Sequence, residues 1–162
     1  MKNVQTQLQS QKGFTLVEIA IVLVIIGLLL GGVLKGQELI ENSKVKSVTQ
    51  DFDNIAAAYW AYKDRTGKYP TNFFGDLRAE GFITGASGDA SGPDHALDGV
   101  FSYVASGTTT GAQKELCASN IEGSIAQNID TKLDDGVQDT GAVQGSAAYT
   151  AGTYVTLCKE LM

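Results

Sequence analysis

Few side chains in this chain have the type and spacing to do chemistry. The single histidine, His95, lies in the Gly- and Asp-rich stretch DASGPDHALDG, with no second histidine to complete a metal or acid–base pair. The spacings H-E-x-x-H, C-x-x-C, G-x-S-x-G and the P-loop are absent. Cys117 and Cys158 could supply a thiol nucleophile to His95 on paper. They suit a disulfide better, because both follow a membrane-length apolar segment and an exported chain lets them pair. Two acidic clusters remain: Asp89, Asp94 and Asp98, then Asp130, Asp134, Asp135 and Asp139. Calcium takes six to eight oxygens, so converging carboxylates and loop carbonyls would suit it. Neither cluster has the D-x-D-x-D-G loop spacing. Asx turns and helix caps are the favoured reading, with Asp134, Asp135 and Asp139 the calcium candidates otherwise. No catalytic residue, resident metal or cofactor is expected, and the chain does not read as an enzyme.

The most informative chemical group is a carboxylate in the wrong solvent. KGFTLVEIAIVLVIIGLLLGGVLK is apolar or small from Phe14 to Leu34 except for Thr15 and Glu18. As a helix this run spans roughly 30 Å, the thickness of a bilayer's hydrocarbon core. An acidic residue at the centre of such a helix costs about 2.5–3.5 kcal/mol on insertion scales, and less near an interface. Glu18 therefore either snorkels to the headgroups or is kept for a partner.

The elements that must position these groups follow from periodicity. Val45, Val48, Phe52, Ile55, Tyr59 and Tyr62 recur every three or four residues and predict an amphipathic helix continuing from the apolar run. Phe52, Tyr59, Trp60 and Tyr62 are expected to be packing residues. Gly67 and Pro70 in RTGKYPTN end the helix. Beyond them, GDLRAEG predicts a short helix over 75–81, VFSYVAS a strand over 100–106, and the end of the chain a strand over 153–158. Ile121, Ile125, Ile129 and Leu133 repeat every four residues, which predicts a helix closed by Gly136. The expected fold class is α+β, a long N-terminal helix packed on a few antiparallel strands.

Composition narrows the partners. The 162 residues carry a formal net charge of −6. From Asp76 onward twelve Asp and Glu face four Lys and Arg, which argues against a broad nucleic-acid surface. The head MKNVQTQLQSQKG carries Lys2 and Lys12 and no acid, so the positive-inside bias keeps it cytoplasmic and the rest outside the inner membrane. The apolar run is longer than a cleavable signal's, and no A-x-A-like site follows it.

KGFTLVEIAIVLVIIG resembles the N-terminus of type IV pilins and type II secretion pseudopilins; YKDRTGKYPT is a weaker resemblance to the segment after their long helix. The resemblance implies a prepilin peptidase cut between Gly13 and Phe14, N-methylation of Phe14, and a role for Glu18 in guiding a subunit beside a neighbour's N-terminus. It implies a leader at 1–13, a transmembrane and filament-core helix at 14–35, an amphipathic helix at 36–66 and a periplasmic or extracellular head at 67–162. The partners it implies are other pilins in a homo- or hetero-oligomeric filament, the peptidase, an inner-membrane assembly platform, and membrane lipid before assembly. Pseudopilin calcium loops have no residue-by-residue match here. Many relatives have proline where this chain has Lys35; Gly27, Gly31, Gly32 and Gly36 instead soften the helix or allow close packing. The alternative is a signal-anchored periplasmic binding protein that never assembles.

Overall fold

The computed structural model describes residues 15–106, 109–111 and 114–161. Two compact units divide the chain, residues 1–40 and 41–162. One helix, α1 (Leu16–Thr66), runs through the boundary. It contains no proline. It stops where Gly67 adopts φ +71° and returns its N–H to the Lys63 carbonyl at 2.8 Å, a left-handed cap that a Cβ would strain. In the first unit the large apolar side chains from Leu16 to Ile40 are all exposed. Among the described residues this is the one helix long and apolar enough to cross a membrane.

In the second unit α1 becomes one-sided. Val45, Val48, Phe52, Ile55 and Tyr59 are buried in a single core with Phe101, Leu116, Ile121 and Leu157. The predicted stripe holds to its last member, because Tyr62 packs half-buried against Phe82 with ring centroids 6.2 Å apart. Trp60 departs from the expectation. It lies off the stripe and is exposed, its ring edge-on to Tyr59 at 5.1 Å with the Lys63 ammonium 4.9 Å from its centre.

Helix α2 (Phe73–Ala79) begins two residues before the predicted start. The Asp76 carboxylate sets that start by accepting the N–H groups of Thr71 (2.7 Å) and Asn72 (3.0 Å). Five strands then build an antiparallel sheet: β1 (Asp94–His95), β2 (Gly99–Val104), β3 (Glu115–Glu122), β4 (Val143–Gly145) and β5 (Tyr154–Glu160), in the order β1-β2-β3-β5-β4. The architecture is α+β in the pilin-like arrangement of a long N-terminal helix and an antiparallel sheet.

The predicted helix from Ile121 is corrected. Ile121 belongs to β3, where it is fully buried, and α3 spans Gly123–Leu133. The cause is Glu122. Its backbone is extended, and its carboxylate accepts the N–H groups of Ser124 (3.0 Å) and Ile125 (3.2 Å), which caps a helix that cannot start earlier. Strand β3 itself had no periodicity to announce it. Glu115, Leu116, Cys117 and Ala118 are buried in succession rather than in alternation. The Glu115 carboxylate is accommodated by the Thr110 N–H (2.7 Å) and hydroxyl (2.6 Å).

Candidate functional site

Gly13 and Phe14, the predicted cleavage and methylation residues, lie outside the described residues. Glu18 is in the first turn of α1. Its Oε2 accepts the Thr15 N–H at 2.7 Å and the Thr15 hydroxyl at 2.8 Å, while the Thr15 oxygen accepts the Glu18 N–H at 3.2 Å. Thr15 and Glu18 thus form a reciprocal capping box, which satisfies donors that the helix start leaves unpaired. The carboxylate also lies at the positive end of the helix dipole. Glu18 makes no ion pair among the described residues. The box is written in the sequence as T-x-x-E ahead of an apolar run, a pattern of its own beside the question of a charge partner for Glu18.

In the head, Cys117 on β3 and Cys158 on β5 are directly opposite in register and joined by a disulfide. Both are buried. The Glu115 carboxylate lies within 4.8 Å of both sulfurs, and the disulfide leaves neither as a thiol. His95 is committed elsewhere. Its Nδ1 accepts the Leu97 N–H at 3.3 Å, so its Nε2 carries the proton and donates to the Ser119 carbonyl at 3.0 Å. Burial pushes the imidazole below its ordinary value, partly offset by the Ser119 bond and by Asp51, Asp98 and Asp94.

The acidic clusters serve the backbone. Asp89 accepts the Ser91 N–H at 3.0 Å and the Ser91 hydroxyl, which hold its carboxyl below the usual range. Asp98 turns the β1–β2 connection at φ +60°. Asp134 receives the Ala142 and Val143 N–H groups. Asp135 receives the Thr140 hydroxyl (2.7 Å) and the Val137 N–H (2.8 Å), and these bonds hold it low. Carboxylate oxygens of Asp130, Asp134 and Asp135 lie within 4.8 Å of one another, so the structure groups Asp130, not Asp139, with the other two. Asp130 is fully buried and bonded to the Tyr149 hydroxyl (2.7 Å) and the Gly136 N–H (3.2 Å). Burial pushes both Asp130 and Tyr149 upward. Asp89 with Ser91 and Asp135 with Val137 make Asx turns, while Asp130 and Asp134 tie the end of α3 to residues 136, 142, 143 and 149.

Residues 8–34 match a family model described as the prokaryotic N-terminal methylation motif. Neither the curated proteins nor the solved structures yield a match to this chain. The chain therefore carries the prepilin-type cleavage and methylation segment of type IV pilins and pseudopilins, a structural rather than an enzymatic class. With the exposed apolar stretch of α1, this segment fits a membrane-anchored precursor.

Proposed function

We propose that this protein is a structural subunit of a type IV pilus or of a pilus-like secretion filament. The observation that carries the reading is the methylation motif at residues 8–34, followed through α1, where the large apolar side chains from Leu16 to Ile40 are exposed among the described residues. A prepilin peptidase cuts the 1–13 leader at Gly13–Phe14 and methylates Phe14. Residues 14–35 hold the precursor in the inner membrane, N-terminus cytoplasmic, and later form the filament core. Residues 36–66 carry the helix into the head, and 67–162 complete the head in the periplasm or outside the cell. An inner-membrane platform lifts the subunit from lipid into a homo- or hetero-oligomeric assembly.

Glu18 has a specific task in this scheme. Cleavage creates an amine at Phe14, with a reference pKa near 8. A cation entering a dry helix bundle is costly unless matched, and leaving one partner unpaired is strongly destabilising. A carboxylate at Glu18 can neutralise a neighbour's amine only in correct register. The capping box makes Glu18 available for this, since it fixes the carboxylate at the helix start rather than along its flank.

Mass spectrometry of the membrane-extracted protein tests the reading. The expected mature chain begins at N-methylated Phe14, and Gly13→Val leaves the precursor uncut. A chain retaining Met1, or one cut near Gly31, would overturn it.

A further inference from the structure

A cavity of about 680 Å3 opens in the head between α1 and the segment 82–94. Its lining includes the apolar residues Ile55, Ala58, Phe82 and Phe101 and two acidic residues, Asp51 and Asp94. Three alanines of α1, Ala57, Ala58 and Ala61, are among its lining residues. Its size lies within the range of small-molecule sites, about 300–1,000 Å3. Its polar groups are all of one sign or neutral.

Asp51 is half-buried, and burial pushes its carboxyl above the ordinary value. It makes no ion pair among the described residues, and neither does Asp94. The one basic side chain felt by Asp51 is His95. Burial disfavours the cationic form of that imidazole, against the pull of the Ser119 carbonyl on Nε2, and its Nδ1 is taken up as the acceptor of the Leu97 N–H. A half-buried carboxylate thus shares a cavity with apolar side chains and has no ion-pair partner among the described residues. A neutral apolar occupant would bury it further with no compensation, and an anion would be repelled. A cation on an apolar stem satisfies both surfaces.

We infer that this cavity is a binding site for an organic ammonium ion, whose charge meets Asp51 and whose apolar body covers Ile55, Ala58 and Phe101. Asp94 adds a second, exposed carboxylate that selects against anions. The site does not depend on the filament reading. Its ligand can be a free amine or a lysine side chain offered by another protein; the chemistry is shared.

The test uses the full chain in non-ionic detergent micelles. Phenethylammonium, phenethyl alcohol and phenylacetate are titrated while the backbone amide signals of Asn54, Ala58 and Thr84 are followed. The amine is expected to saturate, the alcohol to bind at least about tenfold more weakly, and the carboxylate to leave the signals unmoved. Asp51→Asn should bring the amine down to the alcohol's affinity without lowering the melting temperature. Ala57→Leu, an exposed position on the cavity wall, should weaken the amine by obstruction. Nα-acetyl-lysine methylamide separates the sources: tighter binding than phenethylammonium assigns the site to a protein side chain, weaker binding to a free amine. Equal affinity for amine and alcohol, unchanged amine affinity in Asp51→Asn, or unmoved signals with the amine would each overturn the proposal.

Discussion

At the scale of single residues, the carboxylates do the local work. Glu122 and Asp76 set where helices begin, Glu115 anchors the loop before β3, and Glu18 closes a capping box with Thr15. His95 is the residue whose behaviour should be visible in solution. Its folded-state pKa lies below the unfolded value because burial disfavours the cation. Above about pH 6.5 both states hold neutral imidazole and its contribution does not vary. As pH falls through that value the unfolded chain takes up a proton that the folded chain resists, so stability drops until the lower folded pKa is reached. The expected outcome is a melting temperature that declines between about pH 6.5 and the onset of carboxylate titration. His95→Asn keeps a donor and an acceptor but does not titrate, and it should flatten that part of the profile. A wild-type profile already flat there would show that Asp51, Asp94 and Asp98 cancel the effect of burial. Glu18 is tested differently. Glu18→Val and Glu18→Gln should both be processed and held in the membrane, yet missing from sheared filaments, because both lose the charge that can meet a neighbour's amine. Immunoblots of sheared and membrane fractions read this out, and normal incorporation of both variants would reduce Glu18 to its capping role.

Among the elements, α1 was the most legible, since a stripe repeated over five turns leaves no other face to bury. Strands β2 and β5 were legible too, at boundaries within two residues. Strand β3 was not, because its four consecutive buried residues include a charged one that only bonds from the loop just before it make tolerable. The helix predicted from Ile121 began too early because a four-residue repeat cannot distinguish a core strand residue from the first turn of the helix behind it. Strands β1 and β4 are two and three residues long, too short for any pattern to mark them. The candidate site was legible in part: Glu18 and the two cysteines stand out by type, whereas Asp51 became interesting only when the fold placed it in a cavity. Two outcomes test these elements. Phe52 is fully buried on α1 and meets the Phe101 ring edge-on at 5.0 Å, so Phe52→Ala should cost about 3–5 kcal/mol in denaturant unfolding. A loss below about 1 kcal/mol would mean that the stripe does not carry the head. The disulfide closes a separation of 41 residues between strands already paired. Replacing both cysteines by serine should lower stability by roughly 4 kcal/mol in the chain-entropy model while far-UV circular dichroism retains the sheet.

For the molecule as a whole, the two units have opposite relations to water. Among the described residues the buried core runs from Val45 to Leu161, and none of it lies before residue 41. A fragment beginning at Glu41 is therefore expected to fold without detergent, with the sheet and disulfide intact, and to run as a monomer on size exclusion. The full chain should need detergent or lipid to stay dispersed, because more than a dozen large apolar side chains between Leu16 and Ile40 are exposed. An insoluble or unfolded fragment would show that the first unit contributes to the head's stability as well as to its anchoring.

The four glycines of α1 carry a different kind of information. A Cβ placed on Gly27, Gly31, Gly32 or Gly36 would meet nothing within 4 Å, and none of them needs a left-handed backbone. Alanine at each position should therefore make the isolated helix firmer, by about 1 kcal/mol per site. A saturation screen that scores only abundance and folding would rank these positions among the most permissive in the protein. Repeated with a readout of what the chain does beside other chains, the same screen would part company with the first at these glycines if their smallness serves neighbouring helices. The disagreement between the two rankings would map, position by position, the surface that a single copy of the protein has no use for.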